Sequence, residues 1–284
     1  MFPASRNVQR LKLIHTLPTG QQPVLGVTVL GDEVFIVRRR ANELEVYNWT
    51  TWKLKNIMDV KELASPWDLT SCTRFHCIYV ADRADRHSPL GESFIYRVAL
   101  SEEVIKWPIG FQPGGLSVTP EPLNNVLVTC DVAGKIKEFS TDGELIREIR
   151  LSDDVINPFH AILSNDDRLI VSHGASTDPL CRIFVCDSGG RVTQSYGGKP
   201  GSAVGHLRSP QRLAVDGDGN VIVADAANAR VLRLSADLTD VRELVSTRQA
   251  NRFHPMRLCV AGDLIYLTCF DNRNVSVFKM QDVK

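Results

Sequence analysis

Residues 209–234 read SPQRLAVDGDGNVIVADAANARVLRL, and the order of apolar and turn-forming residues in this stretch organises the whole chain. Pro210 opens a short apolar segment, a turn rich in Asp and Gly follows at 216–220, and a second, β-branched segment ends at Asp225. A third apolar segment runs from Arg230 to Leu234. Short β-branched runs separated by such turns predict consecutive antiparallel strands.

The same unit occurs six times along the 284 residues. Its copies start near residues 23, 66, 113, 158, 210 and 255, so successive starts are 43, 47, 45, 52 and 45 residues apart. This is the length of a four-stranded blade of a β-propeller. A β-sandwich of short strands is the alternative, but a sandwich does not require a repeat of one length. Fourth strands are predicted in five copies, at Lys53–Met58, Glu103–Trp107, Glu144–Leu151, Arg191–Tyr196 and Val241–Val245.

The sixth copy ends with its third strand at Val275–Phe278, and the unassigned strand Leu11–Leu17 precedes the first copy. An unclosed ring would leave two sheet edges exposed, so we expect the N-terminal strand to pair with the third strand of the last blade. The predicted fold is therefore an all-β, six-bladed propeller that comprises residues 1–284 as a single domain.

The composition is typical of a folded globular protein. Lysine plus arginine equals aspartate plus glutamate at 33 each, so net charge favours neither nucleic acid nor a membrane surface. No apolar stretch has the length of a signal-peptide core at the N-terminus or of a membrane span elsewhere. We therefore expect a cytoplasmic protein, and we expect this chain to be monomeric. The seven cysteines include no CxxC pair, so we expect most of them to be reduced strand residues.

The fifth copy resembles the NHL repeat in its proline, in Leu213 to Asp216, in the Gly-bearing turn, in Val221 to Asp225, and in Asn228 and Arg230. The chain resembles in particular the C-terminal propellers of the tripartite-motif (TRIM) NHL proteins. This resemblance implies a module that binds single-stranded RNA or proteins. Ubiquitin ligation in that family belongs to a separate RING, and the present sequence contains no RING, B-box or coiled coil, so we expect at most the recognition part of such a ligase.

Two sets of equivalent positions could carry chemistry. The second strands end at Arg39, Asp82, Cys130, His173, Asp225 and Cys269, where we expect the aspartates to accept backbone hydrogen bonds in the following turn. The residues two places after each proline are expected at the mouth of the central channel; they are Asp68, Gly115, His160, Arg212 and Arg257, with Gly26 as the nearest counterpart in the first copy.

Propeller lactonases and lyases resemble this architecture and hold a cation at the channel, which requires several carboxylates, amides or histidines there. One carboxylate beside two arginines makes a poor cation site. The stretch 216–220 resembles part of a calcium loop but lacks the distal glutamate, and it suits a hairpin turn. We therefore predict no metal, no cofactor and no catalytic residue; a metal-dependent propeller hydrolase or lyase is the alternative.

Charge is sorted between the two faces that a propeller presents. We call the face with the loops from fourth to first and from second to third strands the upper face, and the opposite one the lower face. Acids concentrate on the lower face, among them Asp32, Glu33, Asp142, Asp166, Asp216 and Asp263. The predicted ligand-binding residues of the upper face and channel mouth are Arg38, Arg39, Arg40, Arg83, Arg86, Phe111, Phe159, His160, Arg208, Arg212, Arg230, Arg252, Phe253, Arg257 and Arg273.

Guanidinium groups and aromatic rings together can bind phosphates and stack on unpaired bases. The sequence therefore predicts that the upper face binds single-stranded RNA or an acidic protein segment. Accidental sorting of solvated loops, and a protein scaffold that uses other surfaces, remain alternatives at this level.

Overall fold

The computed structural model of the protein describes residues 8–18, 20–83, 92–130, 134–245, 254–269 and 273–283. Its strands form six antiparallel sheets of four strands each, and the only helical element within these ranges is one 3₁₀ turn at Ala226–Asn228. First strands of neighbouring sheets contact one another around a closed ring. The predicted all-β, six-bladed propeller is confirmed.

The strands are numbered along the chain, and β1 (Val8–Leu17) belongs to the last blade. Blade 1 comprises β2 (Val24–Leu30), β3 (Glu33–Arg38), β4 (Glu43–Asn48) and β5 (Leu54–Asp59). Blade 2 comprises β6 (Pro66–Cys72), β7 (Cys77–Asp82), β8 (Phe94–Ala99) and β9 (Val104–Pro108). Blade 3 comprises β10 (Pro113–Val118), β11 (Val126–Cys130), β12 (Lys135–Phe139) and β13 (Leu145–Arg150).

The remaining blades follow the same order. Blade 4 comprises β14 (Pro158–Leu163), β15 (Leu169–His173), β16 (Cys181–Cys186) and β17 (Val192–Gly198). Blade 5 comprises β18 (Pro210–Val215), β19 (Val221–Asp225), β20 (Arg230–Leu234) and β21 (Val241–Val245). Blade 6 comprises β22 (Pro255–Ala261), β23 (Leu264–Cys269), β24 (Val275–Val283) and β1.

The N-terminal strand closes the ring as predicted. β1 pairs antiparallel with β24 from Val8 opposite Val283 to Leu17 opposite Val275, with one irregularity between Leu13 and His15. Leu17 is fully buried in the apolar cluster between blades 6 and 1. The pairing extends three residues further toward the N-terminus than the predicted strand 11–17.

The core consists of six apolar clusters, one in each interface between neighbouring blades. Between blades 1 and 2, for example, Phe35 and Val37 lie in the same cluster as Ile78 and Val80. The second strand of each blade is covered on both sides, which explains why these strands read as nearly continuous apolar runs.

Each first strand begins with the same irregular pairing. In blade 2, Pro66 lies opposite Asp82, but Asp68 lies opposite Ala81, so one residue is left out between them. The same shift opens all six first strands. In blade 1 it begins at Val24, which lies opposite Arg38. The equivalent of Asp82 in blade 1 is therefore Arg38, and the expected assignment of Arg39 is wrong by one residue.

Candidate functional site

The channel ring comprises the second residue after each strand start, namely Gly26, Asp68, Gly115, His160, Arg212 and Arg257. Its four side chains are buried, with 0% to 5% of their surface exposed. They are buried and connect blades, whereas the sequence placed them at the mouth of the channel.

Asp68 is the centre of this ring. Its Oδ1 accepts a hydrogen bond from the backbone N–H of Leu69 at 2.9 Å, and its Oδ2 accepts one from the N–H of Leu116 at 2.8 Å. Arg212 forms an ion pair with the same Oδ2 and also donates to the carbonyl oxygen of Leu116 at 3.1 Å. The ion pair joins blade 5 to blade 2, the hydrogen bonds to Leu116 add blade 3, and both oxygens of Asp68 are engaged.

His160 is a neutral member of the ring. Its Nδ1 accepts a hydrogen bond from the N–H of Leu213 at 3.2 Å, so Nε2 carries the hydrogen and donates to the carbonyl oxygen of Leu116 at 3.1 Å. Burial, together with the positive charge of Arg212, holds the pKa of His160 well below its usual value. Both ring nitrogens serve the contact between blades.

Arg257 completes the ring on blade 6. It donates to the carbonyl oxygens of Leu25 at 2.9 Å and Trp67 at 3.2 Å, and its Nε lies 3.7 Å from Oδ1 of Asp68. Burial lowers the pKa of Arg257 to about 10; Asp68 opposes this shift, while the neighbouring charges of Arg212 and Arg83 add to it.

The two glycines of the ring allow close packing of neighbouring blades. A Cβ atom on Gly115 would lie 2.4 Å from the carbonyl oxygen of Phe159 and 2.7 Å from Cδ2 of His160, and one on Gly26 would lie 2.9 Å from Cγ of Leu69. Larger residues at these positions would displace the ring.

The aspartates that end the second strands accept structural hydrogen bonds, but the donors are not the ones expected. The carboxylate of Asp82 accepts hydrogen bonds from the backbone N–H groups of Ala64 at 3.0 Å and Ser65 at 2.6 Å. The carboxylate of Asp225 accepts one from the N–H of Arg208 at 2.7 Å. These donors lie in the loop that enters the blade, not in the following turn, because antiparallel pairing places the end of the second strand beside the start of the first.

Two of the arginines predicted to bind a ligand form buried ion pairs and hydrogen bonds within the propeller instead. Arg38 is 6% exposed, pairs with Glu45 and donates to the carbonyl oxygen of Arg273 at 2.7 Å, so it joins blade 1 to blade 6. Arg230 is 9% exposed, pairs with Asp225 at 2.8 Å and donates to the carbonyl oxygen of His206 at 2.6 Å. Neither guanidinium is presented to solvent.

The exposed members of the predicted set are Arg39, Arg40, Arg208 and Arg273. None of them forms an ion pair with another residue of the described ranges. Phe159 is half-buried on the upper side of blade 4. Arg86, Arg252 and Phe253 lie outside the described residues.

Two aromatic rings of the upper face, those of Trp67 and Phe111, are already engaged. Arg83 lies over the ring of Trp67 at 3.6 Å from its centroid and donates to the carbonyl oxygen of Pro113 at 2.8 Å. Phe111 packs against the cluster between blades 2 and 3, with the ammonium of Lys137 at 5.2 Å from its ring centre.

Two adjoining depressions open on the upper face. The mouth cavity, of about 230 Å³, is lined by Pro23, Val24, Leu25, Arg39, Trp67, Met256, Arg257 and Cys269. The side depression, of about 430 Å³, is lined by Ser176, Arg208, Ser209, Gln211, Ala226, Ala227, His254 and Met256. The sequence analysis missed Leu25, Trp67 and Met256, although they share one signal: each is the first residue after a strand start.

On the lower face, several acidic side chains form ion pairs. The sequence indicated many acids there with few bases, but basic side chains pair with several of these acids: Arg97 with Asp142 at 2.9 Å, Arg168 with Asp166 at 2.7 Å, Arg233 with Asp216 at 2.8 Å and Lys279 with Asp263 at 3.0 Å. The stretch 216–220 is a hairpin turn in which Asp216 accepts the N–H groups of Asp218 and Asn220.

Three further observations concern sites that the sequence raised. Among the described residues, no three His, Cys, Asp or Glu side chains come together as a metal site would require. All seven cysteines are free thiols. No helix in the described ranges is long and apolar enough to cross a membrane.

Comparison with known proteins supports an NHL-type propeller. The NHL repeat family matches residues 207–234, which include the first three strands of blade 5. No curated protein matches the chain by sequence.

Solved structures with the same architecture have diverse activities. Virginiamycin B lyase from Staphylococcus aureus is 14% identical, with a TM-score of 0.65 over 95% of this chain and 99% of its own. The PQQ-bound aldose sugar dehydrogenase from Streptomyces coelicolor is 12% identical, with a TM-score of 0.68 over 98% of this chain and 100% of its own. A Bacteroides thetaiotaomicron protein of unknown function is 12% identical, with a TM-score of 0.71 over 97% of this chain and 77% of its own. At these identities the likeness shows the fold alone.

Proposed function

We propose that this propeller is a non-catalytic interaction module whose upper face binds an extended, acidic protein segment. The observation that carries the proposal is the difference in charge pairing between the faces. Arg39, Arg40 and Arg208 are exposed and have no acidic partner within the described ranges, whereas several acids of the lower face, Asp142 and Asp216 among them, are paired. Unpaired cations create a positive potential that attracts and orients an acidic partner.

The shape of the upper face favours a protein segment over RNA. The mouth cavity and the side depression share Met256. Arg39 borders the mouth cavity, whose other walls are mainly apolar, and Arg208 borders the side depression, whose walls are mixed. Recognition of unpaired bases uses aromatic faces open to stacking. The ring of Trp67 lies beneath Arg83, and Phe111 is packed into the core, so these rings are poorly placed for that role.

The channel ring supports a non-catalytic role. General acid, base or cation-binding chemistry needs polar atoms that can reach a substrate. Both oxygens of Asp68 and both ring nitrogens of His160 instead form hydrogen bonds with the backbone, three of them to another blade. We therefore assign these groups to stabilisation of the ring, and binding to the loops above it.

The proposal is tested by fluorescence anisotropy with a labelled peptide in which Glu alternates with Leu. The combined variant Arg39→Glu, Arg40→Glu and Arg208→Glu should weaken binding roughly tenfold or more, because attraction becomes repulsion. Its matched control is Lys53→Glu, Arg74→Glu and Arg191→Glu, which changes the net charge equally through exposed lower-face residues and should alter the affinity little. Binding should also weaken as salt is raised.

Three outcomes would overturn the proposal. Equal losses in both triple variants would indicate attraction without a defined face. Tighter binding of an oligouridine of similar length than of the peptide, with an affinity that falls steeply with salt, would favour RNA. Absence of binding to either probe at low salt would place any interaction surface elsewhere on the propeller.

A further inference from the structure

The mouth cavity combines apolar walls with a buried cation. Leu25, Trp67 and Met256 are half-buried residues of three different blades, and Arg257 is 5% exposed. Arg257 lines this cavity and is also a member of the buried channel ring.

Arg257 has spare hydrogen-bonding capacity. A guanidinium has five N–H donors. Three hydrogen bonds from Arg257 go to the carbonyl oxygens of Leu25, Met256 and Trp67, so two N–H groups have no hydrogen-bond partner among the described residues. Asp68 lies 3.7 Å from Nε, beyond hydrogen-bond distance, and its oxygens already accept hydrogen bonds from other donors.

The ring therefore has an excess of positive charge. It contains the guanidiniums of Arg212 and Arg257, the carboxylate of Asp68 and the neutral imidazole of His160. A buried cation without a closely bonded anion is costly, and a carboxylate that reaches the two remaining N–H groups would form a charge-assisted hydrogen bond.

We propose that the mouth cavity is a binding site for a small organic monocarboxylate, whose carboxylate pairs with Arg257 and whose apolar body contacts Leu25, Trp67 and Met256. A volume of about 230 Å³ suits a molecule smaller than the usual ligands of protein pockets. The side chains of Leu25, Trp67 and Met256 favour an apolar remainder of the ligand. This site goes beyond the acidic-segment proposal, since its ligand needs a single carboxylate and no polypeptide.

Isothermal titration calorimetry on the full chain tests this site with phenylpropionate, hexanoate and phenylpropanamide as probes. The two carboxylates should bind saturably. The amide, which has the same shape as phenylpropionate and no charge, should bind at least about tenfold more weakly, since a hydrogen bond between charged groups is lost.

A blocking variant and a matched control locate the site. Leu25→Trp should abolish binding because it fills the cavity, and it installs the residue that blade 2 has at the equivalent position, Trp67. Phe159→Trp changes the same position on blade 4, which does not border the cavity, and should leave the affinity unchanged. Unfolding curves of both variants would verify that they are folded.

Arg40→Glu with Arg208→Glu separates this proposal from the preceding one. Neither residue lines the mouth cavity, so the affinity for phenylpropionate should stay within about twofold even where binding of the acidic peptide is lost. Equal affinity for acid and amide, undiminished binding by Leu25→Trp, or binding of peptides with an apolar C-terminal residue but not of the small acids would each overturn the small-acid site.

Discussion

Arg208 and Arg212 stand four residues apart but have opposite environments. Arg208 is exposed beside the side depression, whereas Arg212 is 5% exposed and paired with Asp68. The irregular pairing at the start of β18 turns the side chain of Arg212 into the channel, while Arg208 precedes the strand. Arg212 therefore holds blades together, whereas Arg208 is accessible to a ligand.

Gly115 is expected to be required by the channel ring. We predict that Gly115→Ala lowers the free energy of unfolding by about 1–3 kcal/mol, because its Cβ would approach the carbonyl oxygen of Phe159 to 2.4 Å and force a backbone shift. Urea denaturation measures the effect. Gly217→Ala is the matched control: nothing lies within 4 Å of a Cβ there, and the change should stay within about 0.5 kcal/mol. Similar effects of the two substitutions would contradict a crowded ring.

At the scale of elements, closure by β1 is the feature on which the ring depends. The first and last parts of the chain meet in blade 6, and Arg38 strengthens that junction by its hydrogen bonds to the carbonyl oxygens of Gln22 and Arg273. Without β1, the edge of β24 would be exposed and the cluster between blades 6 and 1 would lose Leu17.

Two leucines of β1 provide a test of this closure. Leu17→Ala should lower the free energy of unfolding by about 2–5 kcal/mol, because Leu17 is fully buried. Leu13→Ala removes the same atoms from the same strand, but Leu13 is 53% exposed, so its effect should be about 1 kcal/mol or less. Chemical denaturation gives both values, and equal losses would mean that β1 is not seated against the core.

At the scale of the whole molecule, buried titratable groups determine how stability depends on pH. Burial lowers the pKa of His173 to about 4 and that of His160 well below its usual value. Since the unfolded chain then binds protons more readily than the folded one, these histidines destabilise the fold as the pH falls. Burial raises the pKa values of Asp82 and Asp225, so protonation of these carboxyls opposes the loss as the pH falls through their folded-state pKa values.

We predict that the free energy of unfolding is largest above about pH 6.5 and decreases as the pH falls toward 4. Between these two pH values His173 alone lowers the free energy of unfolding by an amount on the order of 3 kcal/mol. Denaturation curves at several pH values should show a shallower decrease for His173→Asn. His76→Asn, at an exposed position, should reproduce the slope of the natural chain. A stability that is constant from pH 7 to pH 5 would contradict neutral burial of the histidines.

Much of the fold could be predicted from local signals. The repeated proline, the β-branched runs and the turn residues report backbone geometry within about ten residues, which is why the blade starts and the unpaired strand at 11–17 could be recognised in advance. Blade 1 was misplaced by one residue because its strand starts at Val24, one position after the proline that marks the unit.

The environment of each site residue could not be predicted in this way. Arg212 and Asp68 are 144 residues apart in the chain, and Arg38 donates to a carbonyl oxygen 235 residues away. Charge and residue type are local properties, whereas burial and pairing depend on which blades the closed ring brings together. For this reason the repeat and the charges of the loops predicted a propeller with a basic upper face. Only the assembled ring distinguishes the arginines that hold the blades together from those that face solvent.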